Sequence, residues 1–222
     1  MKEYREKEMK FLMISYLLLF FLLCTDGFVK IGLNLKSLLE TIFPLAESMM
    51  VAGVISLFVY IADSLISSSF KDKLIGLFFI PKAGSVIFSR ISRGKQIDDR
   101  FAIIDAQKHY ESIIQNLGED TKANRIYENS QWYKIYCKFQ DKGAVNQTQR
   151  DYLLCRDLYI ESIMFLTLYF VASLFLSEWV RFSLAFIIIL FSITIITNIT
   201  THVKMKRFVN TVIALDIAIS IK

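Results

Sequence analysis

Of the 222 residues, 54% are hydrophobic and 21% charged, with a mean hydropathy of +0.43 and a formal net charge of +5. That composition excludes a disordered chain, and the apolar runs are longer than the interior of one soluble domain of this size would accommodate. Three scattered cysteines form neither a disulfide framework nor a zinc-ligand pattern, so no metal or other cofactor is expected.

The first apolar run, residues 11–24, is free of charge. Extended to 9–28 it reaches the ~20 residues that a helix needs to cross a hydrocarbon core of about 30 Å. A cleaved signal peptide would show a similar basic tail and apolar core, but no A-x-A-like site follows. The tail also carries Glu3, Glu6 and Glu8, so the segment is read as a retained span. A second span is predicted over 45–66, entered at Pro44, which suits the first turn of a helix. The third and fourth are predicted over 158–176 and 180–200. Only Ser177, Glu178 and Trp179 separate them, which makes a tight hairpin with Trp179 at the membrane interface.

Orientation follows from the basic residues. Of the 26 Lys and Arg, 23 fall in the N-terminal tail, residues 71–156 and the C-terminal tail, against 3 in the two remaining loops. Under the positive-inside rule both termini and the central region face the cytoplasm. The expected fold is an all-α membrane protein of four spans with a small helical cytoplasmic domain. Its divisions are 1–70 (tail and first hairpin), 71–156 (interfacial elbow and cytoplasmic domain) and 157–222 (second hairpin and tail). The same bias accounts for the net charge of +5, so no nucleic-acid partner is expected.

Between the hairpins, the apolar stretch 74–80 is too short to cross and is broken by Pro81 and Gly84. The cations that follow, Arg90, Arg93 and Lys95, suit a segment lying in the interface beside anionic headgroups, or contacting a partner. A phosphate-binding lip is the sharper alternative, although no phosphate-loop motif is present. Apolar residues at Ile103, Ala106, Tyr110, Ile113 and Leu117 then predict a helix over 98–117, stopped by Gly118. A second helix is predicted over 121–140, and a third from Thr148 running unbroken into the third span. The sequence 150–157 of that helix repeats an Arg-Asp pair, and Arg150 and Arg156 are further candidates for headgroup or partner contact.

Catalysis finds little support. His109 and His202 are the only histidines, and no Ser or Cys has an evident histidine base, so the chain is read as non-enzymatic. Ionisable groups within spans are costly and invite functional interpretation. Glu47, Asp63 and Glu161 are therefore candidates for a polar pathway or gate. Ser48, Ala52 and Ser56, spaced by four with Gly53 beside them, permit close helix approach and form a candidate homo-oligomer interface.

A small helical cytoplasmic domain inserted between two transmembrane hairpins resembles the compact membrane subunits of bacterial anti-phage systems. These include the membrane components of Kiwa, of cyclic-oligonucleotide signalling systems and of certain CRISPR loci. The resemblance is one of size and layout, and it assigns no functional residue. It implies an inner-membrane homo-oligomer that couples to a cytoplasmic partner protein and senses or perturbs the bilayer. A small transporter or ion channel using the acidic pathway residues is the alternative.

Overall fold

The computed structural model describes residues 2–24, 57–58, 61, 65–76, 81–118, 121–175 and 182–220. Regular structure among them is entirely helical, as expected. The elements are α1 (Lys2–Cys24), α2 (Ser68–Ile75), a 3-10 turn (Ala83–Ser85), α3 (Ile87–Ser92), α4 (Ile103–His109), α5 (Glu111–Gln115), α6 (Thr121–Phe139), α7 (Gly143–Phe175) and α8 (Leu184–Ser220).

Of the four expected spans, the third and fourth fall on helices of spanning length. Among the described residues two helices, α7 and α8, are long and apolar enough to cross a membrane. In α1 the apolar stretch among the described side chains is Met9–Phe20, below the length that crosses a membrane by itself. The expected second span, 45–66, lies almost wholly outside the described residues. Helix α7 is unbroken, as predicted, and begins a turn earlier, at Gly143. Helix α8 does not stop near Thr200 but continues to Ser220.

The chain divides into two compact units. The first comprises Met1–Asp72 and Arg156–Asn198, the second Lys73–Cys155 and Ile199–Lys222, so α7 and α8 contribute to both.

In the first unit, α1 packs against the later part of α7 and the early part of α8. Tyr16, Phe20 and Cys24 recur every four residues along α1, and they meet Phe165, Tyr169, Phe186 and Leu190. The aromatic rings interlock edge to face, with centroids 4.7 Å apart for Tyr169–Phe186 and 5.8 Å for Phe20–Phe186. Such geometry aligns ring edges with ring faces and adds to the gain from burial. The outward faces are also apolar: Phe11, Leu18, Leu174, Phe175, Leu184, Ile188 and Phe191 are all more than half exposed. Helices apolar all round are at home in a membrane or the core of a larger assembly.

The second unit has one continuous core. Ile87, Phe88 and Ile91 of α3, Trp132, Ile135 and Phe139 of α6, and Met205 to Ile217 of α8 form it. On α8 the buried positions Met205, Phe208, Val209, Val212, Ile213 and Ile217 follow the three-and-four spacing of one helical face. Gly84 lets the 3-10 turn lie against α6: a Cβ there would come within 3.2 Å of the Trp132 ring. The single helix expected over 98–117 is two, α4 and α5, divided at Tyr110, whose side chain turns inward and donates a 2.8 Å hydrogen bond to Asp216. Of the segment read as an interfacial elbow, Ala83, Ile87, Phe88 and Ile91 pack into this core.

Candidate functional site

The first unit buries a group of charges that its apolar composition does not require. Helix α2 supplies Lys71 and, partly exposed at the edge of the group, Asp72, and α7 supplies Arg156, Asp157 and Glu161. Asp157 is completely buried and receives Lys71 at 3.4 Å and the Arg156 Nε–H at 3.3 Å on the same oxygen. Arg156 also approaches Asp72 at 3.6 Å. Two cations and two carboxylates thus balance one another across α2 and α7.

Glu161 follows Asp157 by four residues, which places both carboxylates on one face of α7, and it is 1% exposed. Beside it, the Ser162 hydroxyl donates to the Leu158 carbonyl at 2.8 Å, leaving the Tyr16 hydroxyl to donate to Ser162 at 2.6 Å. The polar group therefore reaches from α2 through α7 to α1. Removing two charged partners from water costs several kcal/mol per ion, in the range that their mutual attraction repays only with good geometry. A buried ionic group of this kind adds little net stability over apolar packing, whereas removing one partner leaves an uncompensated buried charge.

The sequence-derived candidates distribute as follows. Glu161 and Arg156 belong to the buried group. Arg156 was expected to offer its charge to headgroups or a partner, and in the structure that charge is taken up by Asp72 and Asp157. Arg150 lies exposed on α7, and Lys95 is exposed after α3. Arg90 and Arg93 line a cleft in the second unit. Glu47, Asp63, Ser48, Ala52, Gly53 and Ser56 lie outside the described residues. The sequence reading did not single out Lys71, Asp72 or Asp157 as site residues, although an Asp and a Glu four apart at the start of an apolar helix were visible as a signal.

The second unit holds a smaller polar group. Asp216 accepts from the Tyr110 hydroxyl at 2.8 Å and lies 3.0 Å from His109 Nε2. Burial, together with the adjacent carboxylate, pushes the Tyr110 phenol well above its ordinary range. The Ser220 hydroxyl approaches the same His109 nitrogen at 3.4 Å, so serine, histidine and aspartate do not form a relay through the two sides of the ring. His109, partly exposed, is thus part of the tie between α4 and α8. Among the described residues no group of three or more His, Cys, Asp or Glu side chains is placed to hold a metal ion.

Comparison of the chain with protein families, with curated proteins and with solved structures finds no match.

Proposed function

We propose that the protein is a non-enzymatic, oligomeric membrane subunit, coupled to a cytoplasmic partner, that senses or perturbs the bilayer. The buried Lys71, Arg156 and Asp157, with the partly exposed Asp72, are its switch. One observation carries this reading: α7 is apolar and long enough to cross a bilayer, yet Arg156, Asp157 and Glu161 are all buried on it. Ionisable groups in such a setting are costly unless they serve a function. Helix α7 also belongs to both units without a break, which gives an event in one unit a covalent route to the other. The exposed apolar faces of the first unit favour lipid and a second copy of the chain as its surroundings.

The 23-to-3 distribution of basic residues favours a bacterial inner membrane with both termini cytoplasmic. The resemblance in layout to anti-phage membrane subunits supplies the biological setting. The test uses the full-length protein in lipid nanodiscs and liposomes. Native mass spectrometry is expected to show an oligomer, and Asp157→Asn to change dye leakage from liposomes relative to wild type. A strict monomer in detergent and lipid, with leakage identical for wild type and variant, overturns the proposal.

A second reading, an ion channel or small transporter, is favoured by Asp157 and Glu161 lying buried on one face of α7. It requires ion flux in proteoliposomes that Glu161→Gln abolishes while the protein remains folded. Leakage of large dyes without ion selectivity speaks for the first reading.

A further inference from the structure

The second unit contains an open cleft of about 560 Å³ between α3 and α6. Sites for small molecules run from roughly 300 to 1,000 Å³, so this one is larger than a lone inorganic anion needs. Arg90, at the end of α3, and Arg93, just after it, line one side, and Arg125 of α6 lines the other. None of the three guanidinium groups has a hydrogen bond or ion pair to a described residue. Arg90 is half-buried, and withholding partners from a guanidinium sheltered from water is costly.

The one carboxylate in the lining does not neutralise them. Glu128 is 1% exposed and accepts from the backbone N–H groups of Phe88 at 2.8 Å and Ser89 at 3.0 Å, and from the Ser89 hydroxyl. Its charge is committed to the first turn of α3, where amide dipoles favour an anion. The far wall is also built: Gly118 donates to the Asn124 side chain at 3.0 Å, and Asn124 donates back to the Gly118 carbonyl at 2.6 Å. Ser92 and Thr121 add hydroxyls to the lining, while Pro81, Val86 and Leu117 add an apolar part.

We infer that this cleft is a binding site for a phosphate-bearing small molecule. Its phosphoryl oxygens are held by Arg90, Arg93 and Arg125, and its less polar remainder lies toward Pro81, Val86 and Leu117. Planar guanidinium forks match phosphoryl oxygens two at a time, and three of them on facing elements suit a ligand of more than one negative charge. The inference stands apart from the proposed membrane switch, because every residue it uses belongs to the second unit. A soluble phosphate ester and a phospholipid headgroup share this chemistry, and the experiment separates them.

Full-length protein in phosphatidylcholine nanodiscs is titrated calorimetrically with pyrophosphate and with ATP. In parallel, native mass spectrometry counts retained phosphatidylglycerol against phosphatidylcholine. Arg93→Ala/Arg125→Ala, both at exposed positions, is expected to weaken whichever ligand binds by about tenfold or more, as expected for loss of charge-assisted hydrogen bonds. Lys108→Ala/Lys134→Ala removes the same charge from the same unit outside the cleft and is expected to change binding by less than about twofold, the screened long-range effect of exposed charges. Calorimetric binding lost in the arginine variant assigns a soluble ligand. Selective phosphatidylglycerol retention lost in that variant assigns a headgroup. Absence of both, or equal loss in the two double variants, overturns the inference, and matched thermal unfolding curves exclude misfolding as the cause.

Discussion

The two units solve opposite problems with the same kind of helix. In the first, apolar side chains occupy both the interior and the outward faces, and the charges of Lys71, Arg156, Asp157 and Glu161 are drawn inside. In the second, an aromatic and aliphatic core is closed around α8, and arginines stand in an open cleft. Helix α8 makes the contrast within one element: Leu184, Ile188 and Phe191 are exposed, whereas Phe208, Val212 and Ile213 are buried. A side chain's hydrophobicity is the same in both places, so the surroundings must differ. The second unit buries its apolar face within its own chain, while the first keeps an apolar surplus on its outward faces.

The largest effect that would break this contrast concerns the inward charges. Arg156→Ala leaves Asp72 and Asp157 short of a cation inside the first unit and is expected to cost about 3–5 kcal/mol, the range for breaking one side of a buried pair. Thermal unfolding in detergent reads it, and a loss no larger than that of a surface arginine such as Arg150→Ala would show the group to be solvated.

Next comes a matched pair on α8. Ile213→Ala empties volume in a closed core and is expected to cost about 2–5 kcal/mol. Ile188→Ala, from the outward face, should leave the unfolding midpoint of detergent-solubilised monomer nearly unchanged. If Ile188→Ala also shifts the oligomer distribution in nanodiscs, a second copy covers that face; if it does not, lipid does.

The smallest effect lies on the surface of the second unit. Arg100 donates to Asp98 through its backbone N–H at 3.1 Å and through two guanidinium nitrogens, each at 2.8 Å, and also reaches Thr211 on α8 at 3.1 Å. The guanidinium hydrogen bonds hold the Asp98 carboxyl below the ordinary aspartate range. Its contribution to stability is therefore complete above the ordinary aspartate value and is lost as pH falls through the lowered folded value. Because Arg100 is nearly half exposed, Asp98→Asn should cost less than about 1 kcal/mol at neutral pH. Unfolding curves of variant and wild type should converge in strong acid.

Much of this contrast was legible before folding. The charge-free runs identified the apolar parts of α7 and α8, because that signal depends on neighbours a few residues away, whereas α5 ends at Gln115, capped by Asn116, before the expected stop at Gly118. The C-terminal core face was equally visible, with Met205, Phe208, Val209, Val212 and Ile213 at helical spacing. It went unread because a cluster of Lys204, Lys206 and Arg207 suggested a cytoplasmic tail. The cleft was half visible: Arg90 and Arg93 lie close in sequence, but Arg125 joins them only through the packing of α6 on α3.

The sequence by itself determined that the chain is helical and that long parts of α7 and α8 prefer an apolar environment. Periodicity and composition are local properties, and a helix forms its backbone hydrogen bonds from its own residues. Only the tertiary structure decided that Lys71 meets Asp157, that Tyr110 and His109 meet Asp216, and that Glu128 is committed to α3 while three arginines remain available. Those pairings join residues 40 to 107 positions apart, and the balance between desolvation and attraction that selects them exists only once the helices are packed.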